Sequence, residues 1–151
     1  MSHMSLGLET ELLVKAKLIE NGYTVLEPLG SQNFDVAVKV GSLVATIQVK
    51  SAWRQRNGSY MVRLFGGCGK ERRYLLSEVS FFVVRCGLDY FIFPNTGKYR
   101  TPTLFPRKRV AFSMERFKNQ WNLIRETLGG CAKESVQSAA RRITRLRKMR
   151  T

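Results

Sequence analysis

The chain has 151 residues, of which 44% are hydrophobic, so it is long enough for one globular domain with a single core. No run of about 18 apolar residues is present, which excludes a membrane-spanning helix. The start lacks the basic-then-apolar pattern of a signal peptide. His3 is the only histidine, which excludes enzymes whose general base must be histidine. Residues 1–4 resemble a cloning scar, and we expect a single domain over 5–151.

The cysteines are odd in number and widely spaced. Cys68, Cys86 and Cys131 form no CxxC pair. This pattern argues against both a zinc site and a disulfide framework. We therefore expect reduced thiols and a cytoplasmic protein.

The net charge of +15 is unevenly distributed. The first 50 residues contain five acids and four bases, so the positive excess lies in the remaining 101 residues. A basic body joined to a locally acidic first third predicts a polyanionic partner with a cation site near it. The alternative is a basic protein whose charges serve solubility alone.

The first predicted element is a helix over 5–21. Ser5 is a candidate N-cap, and Gly22 is a typical helix-ending residue. Four apolar residues recur at helical spacing and are predicted to form its buried face: Leu8, Leu12, Ala16 and Ile19.

Short strands follow, and then two more helices. The predicted strands are 23–26, 34–40, 43–50, 59–65, 79–85 and 90–93. Residues 95–109 are predicted to be a long basic loop. A second helix is predicted to begin after Ser113, with Phe117, Trp121, Ile124 and Leu128 inward. A basic C-terminal helix is predicted over about 133–151. The order helix, strands, helix predicts an α/β fold.

Residues 34–50 predict a hairpin with one polar face. With Gly41-Ser42 as a two-residue turn, Asp35 stands opposite Gln48, and Lys50 lies on the same face one pleat farther along. The opposite face is continuously apolar. The polar face is either the solvated side of an amphipathic hairpin or the wall of a cleft, and its apolar neighbours Ala37 and Val44 favour the cleft.

In a cleft, this trio suits phosphodiester hydrolysis. A hard divalent cation binds oxygen ligands, which the Asp35 carboxylate and the Gln48 amide supply. Lys50 could orient a water or stabilise charge on the phosphate. One carboxylate is too little for Mg²⁺, so a second acid is expected from the first helix. Glu11 is the preferred candidate and Glu9 the alternative.

Glu11, Phe34-Asp35 and Gln48-Val49-Lys50 together resemble the PD-(D/E)XK nuclease motif, in its variant with glutamine replacing the second acid. The resemblance covers about 7–94 and is greatest to the bacterial group I intron-encoded homing endonucleases of this class. Phe34 stands where the motif has proline, and Gln48 removes one negative charge from the metal site.

This resemblance implies a restriction-endonuclease-like fold, with a mixed central β-sheet flanked by helices. It also implies cleavage of both strands of a long double-stranded DNA target, with Mg²⁺ as cofactor and Mn²⁺ as a substitute. By position, the catalytic residues are Glu11, Asp35, Gln48 and Lys50, and the first three are the metal ligands. Cutting both DNA strands requires two active sites, so a homo-oligomer is expected, either a dimer or a dimer of dimers.

Basic and amide side chains after residue 50 are candidates for binding DNA phosphates and base edges. They are Arg54, Gln55, Arg56, Asn57, Arg63, Lys70, Arg72, Arg73, Lys98, Arg100, Arg107, Lys108 and Arg109. The basic tail is either a phosphate-binding arm or a subunit contact that uses its apolar stripe. Trp53 and Trp121 are expected in the core.

The sequence leaves three other functions open. The first is a Holliday-junction resolvase or restriction-type nuclease of the same fold. The second is a non-catalytic DNA-binding module, and the third is an RNA-binding or RNA-processing protein.

Overall fold

The computed structural model describes residues 3–66, 72–104 and 114–129. A five-stranded sheet forms its centre, in the order β1-β2-β3-β8-β9. Its strands are β1 (Thr24–Leu26), β2 (Val36–Val40), β3 (Leu43–Ser51), β8 (Phe81–Cys86) and β9 (Asp89–Pro94). The helix α1 (His3–Glu20) packs on β1 and β3.

The central sheet is mixed. β3 and β8 run parallel, whereas the other neighbours in the sheet are antiparallel. The long connection from β3 to β8 carries two small sheets. They consist of β4 (Trp53–Arg54), β5 (Tyr60–Met61) and β10 (Thr103–Leu104), and of β6 (Phe65–Gly66) and β7 (Arg72–Arg73). The predicted mixed sheet with helices is therefore confirmed, although the strand predicted over 59–65 is split into β5 and β6.

The hairpin of β2 and β3 has the predicted turn. Val40 pairs with Leu43 around Gly41, whose φ of 61° is the left-handed conformation that glycine favours. The regular pairing ends at Val36 and Ile47. The N–H of Asp35 donates to the carbonyl of Ile47 at 2.9 Å, so Asp35 is offset from the directly opposed position that was predicted for it. Asp35 and Val36 thus both lie opposite Ile47, and two residues opposite one define a β-bulge.

The helix α1 ends where the sequence predicts. Gly22 has a φ of 80°, and the N–H of Tyr23 donates to the carbonyl of Leu18 at 3.0 Å. A left-handed glycine together with a backbone bond between residues five apart is a Schellman-type ending. At the other end the helix begins at His3, so Ser5 lies within the helix and is not its N-cap.

The predicted buried face of α1 is wrong. Thr10, Val14 and Leu18 face the sheet, whereas the predicted stripe is exposed. In that stripe, Leu8 and Leu12 are each 58% exposed, Ile19 is 62% exposed, and Ala16 is also exposed. Both sets repeat every three to four residues, so periodicity alone does not distinguish them. Thr10 is tolerated inside because its hydroxyl bonds to Ser51 at 2.8 Å.

Each face of the sheet has its own core. One core joins α1 to the predicted apolar face of the hairpin and to Trp121 and Ile124. The other contains Phe82, Val84 and Phe93 and is covered by segments that lie between β3 and β8 and after β9. Trp121 is thus buried as predicted. The prediction fails for Trp53, which is 43% exposed.

Residues 114–129 do not form one continuous helix, contrary to the prediction. A 3₁₀ turn at Glu115–Phe117 is followed by a bridge between Lys118 and Phe91, and Asn119 has a φ of 53°. A helical segment then covers 123–129. Phe117, Trp121 and Ile124 point inward as predicted. Ser113 and the helix predicted over 133–151 lie outside the described residues.

Cys86 is a free, buried thiol, and burial raises its pKa to about 12, so it is not a reactive thiolate. Cys68 and Cys131 lie outside the described residues. Within the described ranges, no helix combines the length and apolarity needed to cross a membrane.

Candidate active site

A cleft of about 540 Å³ opens between α1 and the ends of β2 and β3. The structure brings all four candidate catalytic residues to its walls, namely Glu11, Asp35, Gln48 and Lys50. Glu11 comes from α1, Asp35 from the residue before β2, and Gln48 and Lys50 from β3. The central core packs these elements against one another. The polar face of the hairpin therefore forms the wall of a cleft at this end, although Val44, near the turn, is exposed to solvent.

Asp35 is held at the point where β2 begins. Its Oδ2 accepts a hydrogen bond from the backbone N–H of Val49 at 2.7 Å. Burial raises the pKa of the Asp35 carboxyl above its ordinary value of 3.8. The Val49 N–H, the Lys50 charge and the Gln48 side chain act in the opposite direction and favour the carboxylate.

Glu11 reaches the cleft from α1, whereas Glu9 does not line it. Burial raises the pKa of the Glu11 carboxyl above 4.5, and repulsion from Asp35 raises it further. The Asp35 carboxylate is thus close enough to disfavour the charged form of Glu11. Glu9 instead accepts a hydrogen bond from Arg85 at 2.9 Å, in an ion pair that fixes α1 to β8.

A second contact fixes the helix relative to the strand that carries Lys50. The hydroxyls of Thr10 and Ser51 lie 2.8 Å apart, and both residues line the cleft. Thr10 is adjacent to Glu11, and Ser51 is adjacent to Lys50. This bond therefore sets the spacing between the second acid and the amine.

Lys50 has a partner that the sequence analysis missed. Its Nζ donates to the hydroxyl of Tyr74 at 2.9 Å and lies 5.1 Å from the centre of the Tyr74 ring. Tyr74 comes from the connection between β7 and β8, with no spacing signal linking it to Lys50. Only the tertiary fold reveals the contact.

The donor set of the cleft fits a hard divalent cation. Glu11 and Asp35 offer carboxylates, and Gln48 offers an amide oxygen. A cation between the carboxylates would offset the repulsion from Asp35 that adds to the raised pKa of Glu11. Among the described residues, no group of three or more histidine, cysteine, aspartate or glutamate side chains is arranged to hold a metal. That finding agrees with glutamine occupying the third position of the site.

The hairpin of β4 and β5 carries the first group of candidate DNA-binding side chains. Arg54, Arg56 and Arg63 are exposed, and the guanidinium of Arg63 lies 5.7 Å from the centre of the Trp53 ring. Gln55 and Asn57, predicted to contact bases, are used inside the turn. The hydroxyl of Ser59 bonds to Gln55 Oε1 at 2.7 Å and to Asn57 Oδ1 at 2.6 Å. In this conformation the side-chain oxygens of Gln55 and Asn57 stabilise the turn.

Four more of the predicted DNA contacts lie within the described residues. Arg72 forms an ion pair with Glu78 at 3.1 Å, while Arg73, Lys98 and Arg100 are exposed. Four further candidates lie outside the described residues: Lys70, Arg107, Lys108 and Arg109.

Comparison with known proteins identifies the class. The family model of PD-(D/E)XK endonucleases matches residues 1–95, and the chain belongs to this family. Nucleases of the family generally use divalent metal ions. The family predicted from the motif of Glu11, Asp35, Gln48 and Lys50 is therefore confirmed.

Among solved structures, the chain is similar to a bacterial homing endonuclease, I-Ssp6803I, with a TM-score of 0.75 and 21% sequence identity. The match covers 89% of this chain and 99% of that chain. At this identity the likeness shows the shared fold. Comparison with curated proteins gives no significant match.

Proposed function

We propose that this protein is a metal-dependent, site-specific homing endonuclease that hydrolyses both strands of a long double-stranded DNA target. The observation that carries the proposal is the convergence of Glu11, Asp35, Gln48 and Lys50 on one cleft. Glu11 comes from the first helix, whereas the other three come from the hairpin of β2 and β3 and the residue before it. Their meeting at one point supports a common chemical role.

Glu11, Asp35 and Gln48 would hold the cation, for which we propose Mg²⁺, with Mn²⁺ as a substitute. When bound, such a cation acidifies a water and polarises a phosphoryl oxygen. The ammonium of Lys50 orients the attacking water or stabilises the charge that develops on the phosphate. The walls of the cleft exclude part of the solvent and thereby strengthen these interactions.

The surface around the cleft supports DNA as the substrate. Trp53 lines the cleft and is exposed, and Arg63 packs over its ring. Beyond it, the exposed Arg54 and Arg56 extend along the hairpin. Arginines on a two-stranded ribbon suit phosphate contacts and entry into the major groove. Cutting both strands requires two such clefts, so we propose a homo-oligomer, either a dimer or a dimer of dimers.

The direct test is digestion of a randomised duplex library with Mg²⁺ or Mn²⁺, followed by sequencing of the ends. Cutting at a defined long sequence on both strands supports the proposal. Asp35→Ala and Lys50→Ala should abolish cutting while DNA binding survives. Asp89→Ala and Lys39→Ala are matched controls outside the cleft and should cut normally. Wild-type rates in either cleft variant would contradict the site assignment.

The same assay separates the other functions. Preferred cutting of four-way junctions over linear duplex would indicate a resolvase. Tighter binding and faster cutting of RNA would indicate an RNA-processing enzyme. Binding to duplex DNA without cutting under any metal would indicate a non-catalytic module.

A further inference from the structure

We propose that Tyr74 is a positioning residue that holds the ammonium of Lys50 at the cleft. The inference rests on the proposed catalytic role of Lys50. It adds a fifth residue to the site, one contributed by the connection between β7 and β8. Tyr74 acts through Lys50 and is not assigned a contact with the substrate.

Two features of Tyr74 act on Lys50 together. The phenolic oxygen accepts a hydrogen bond from Nζ at 2.9 Å, and the ring centre lies 5.1 Å from the same atom. A hydrogen bond to a charged donor limits the direction of the ammonium, and the nearby ring adds a weaker attraction for the cation. Lysine is otherwise a long and flexible side chain. Together the two contacts restrict it to a small region.

Electrostatics explains why such a restraint is needed. Lys50 shares the cleft with Asp35 and Glu11, whose charges attract it. Within the described part of the chain, however, Lys50 forms no ion pair with either acid, and Tyr74 is its hydrogen-bond partner. Tyr74 therefore competes with the carboxylates for the ammonium. An ammonium held off the carboxylates leaves their oxygens available as ligands.

Tyr74 is itself fixed on three sides. Its ring packs edge-on against the buried ring of Phe82, with centroids 5.7 Å apart. Its carbonyl accepts a hydrogen bond from Asn95 Nδ2 at 3.2 Å. At the hydroxyl end the backbone of Gly66 is so close that a Cβ added there would lie 3.0 Å from the oxygen. A side chain held in this way can transmit its position to Lys50.

The test compares two substitutions at one position. Tyr74→Phe keeps the ring and removes the hydroxyl, and Tyr74→Leu removes both. Under single-turnover conditions with saturating metal and duplex DNA, we expect the cutting rate to fall about tenfold for Tyr74→Phe and about a hundredfold for Tyr74→Leu. The affinity for DNA should remain unchanged. Tyr99→Phe is the matched control, since the Tyr99 hydroxyl also accepts a bond from a cation, but that cation is Arg116 and not Lys50. It should cut at the wild-type rate.

A readout independent of cutting is the NMR shift of the Lys50 Hε protons in the metal-free protein. A nearby aromatic ring displaces these signals. We expect the displacement to persist in Tyr74→Phe and to vanish in Tyr74→Leu, while the Tyr99→Phe control leaves it unchanged. Absence of a displaced Lys50 signal in the wild type would overturn the proposal.

Gly66→Ala provides a second variant that leaves Tyr74 intact. The new methyl group would press on the phenolic oxygen and shift it away from Lys50, so we expect slower cutting at unchanged DNA affinity. Wild-type cutting rates in both Tyr74 variants would overturn the proposal. Loss of DNA affinity in proportion to rate would do the same, because it would indicate a binding role.

The failure of this inference is distinguishable from failure of the proposed function. If Lys50→Ala abolishes cutting but the Tyr74 variants cut normally, only the positioning role is wrong. If Lys50→Ala itself cuts at the wild-type rate, the proposed role of Lys50 is wrong, and the role of Tyr74 is lost with it.

Discussion

The carboxylate of Asp35 accepts a hydrogen bond from the backbone N–H of Val49, with 2.7 Å between the nitrogen and Oδ2. Val49 lies between Gln48 and Lys50, where β3 extends beyond the last residue pair with β2. The carboxylate therefore satisfies a strand donor that the ladder leaves open. One contact thus places the acid beside the amide and the amine while completing the hydrogen bonding of the sheet.

This dual role leads to a prediction for Asp35→Asn. The amide oxygen can still accept the bond from Val49, but the buried charge is gone. Because burial raises the pKa of Asp35, the fold disfavours the ionised form. We expect cutting to be lost and the melting temperature of the metal-free protein at neutral pH to rise by about 2–4 °C, the effect of about 1 kcal/mol in a chain of this size. Thermal unfolding and a cutting assay test this.

Asp35→Ala is the control for that experiment, since it removes both the charge and the acceptor. It should lose activity without the gain in stability, because the N–H of Val49 is left without its partner. A melting temperature lower for Asp35→Asn than for the wild type would contradict the explanation.

The raised pKa values of Glu11 and Asp35 also predict a pH dependence of stability. Between their ordinary values of 4.5 and 3.8 and the raised values in the fold, the folded chain binds more protons than the unfolded chain. The contribution of these two groups to the free energy of unfolding therefore falls as pH increases through that window. Urea titrations at several pH values should show a smaller decrease for Asp35→Asn than for wild type. An equal decrease would show that Asp35 titrates normally.

The two candidate acids of α1, Glu9 and Glu11, predict opposite outcomes. Glu11→Gln should abolish metal-dependent cutting, because Glu11 lines the cleft. Glu9→Gln should keep most of the activity and cost about 1 kcal/mol or less in stability, since it weakens a partly exposed ion pair with Arg85. Parallel cutting assays and denaturation curves test both. Loss of cutting in Glu9→Gln alone would reverse the assignment.

The orientation of α1 predicts a contrast between adjacent residues. Leu18 is fully buried, so Leu18→Ala should lower the free energy of unfolding by about 2–5 kcal/mol. Ile19 is 62% exposed, so Ile19→Ala should change the free energy of unfolding of the isolated chain by less than about 0.5 kcal/mol. Chemical denaturation measures both. Similar losses in the two variants would place the helix in a different rotation.

Local patterns were sufficient for the hairpin and for the family. The Gly41-Ser42 turn sets the register of β2 and β3, because a two-residue turn leaves little freedom in pairing. That register brings Asp35, Gln48 and Lys50 to one end of the hairpin, and only the bulge at Asp35 was missed. The end of α1 at Gly22 was equally predictable, because glycine itself favours the left-handed conformation.

The rotation of α1 and the partner of Lys50 depend on long-range packing, so only the tertiary structure decided them. The two stripes of α1 have the same periodicity, and the rotation of the helix follows from Val14 and Leu18 packing in the core. The contacts of Thr10 with Ser51 and of Glu9 with Arg85 agree with that rotation. Tyr74 reaches Lys50 because its ring packs on Phe82 of β8, the strand next to β3. Turn chemistry acts between neighbours in sequence, so the sequence alone determines it. The choice of helix face and of a partner for Lys50 depends on which distant surfaces meet, and that is settled only when the core assembles.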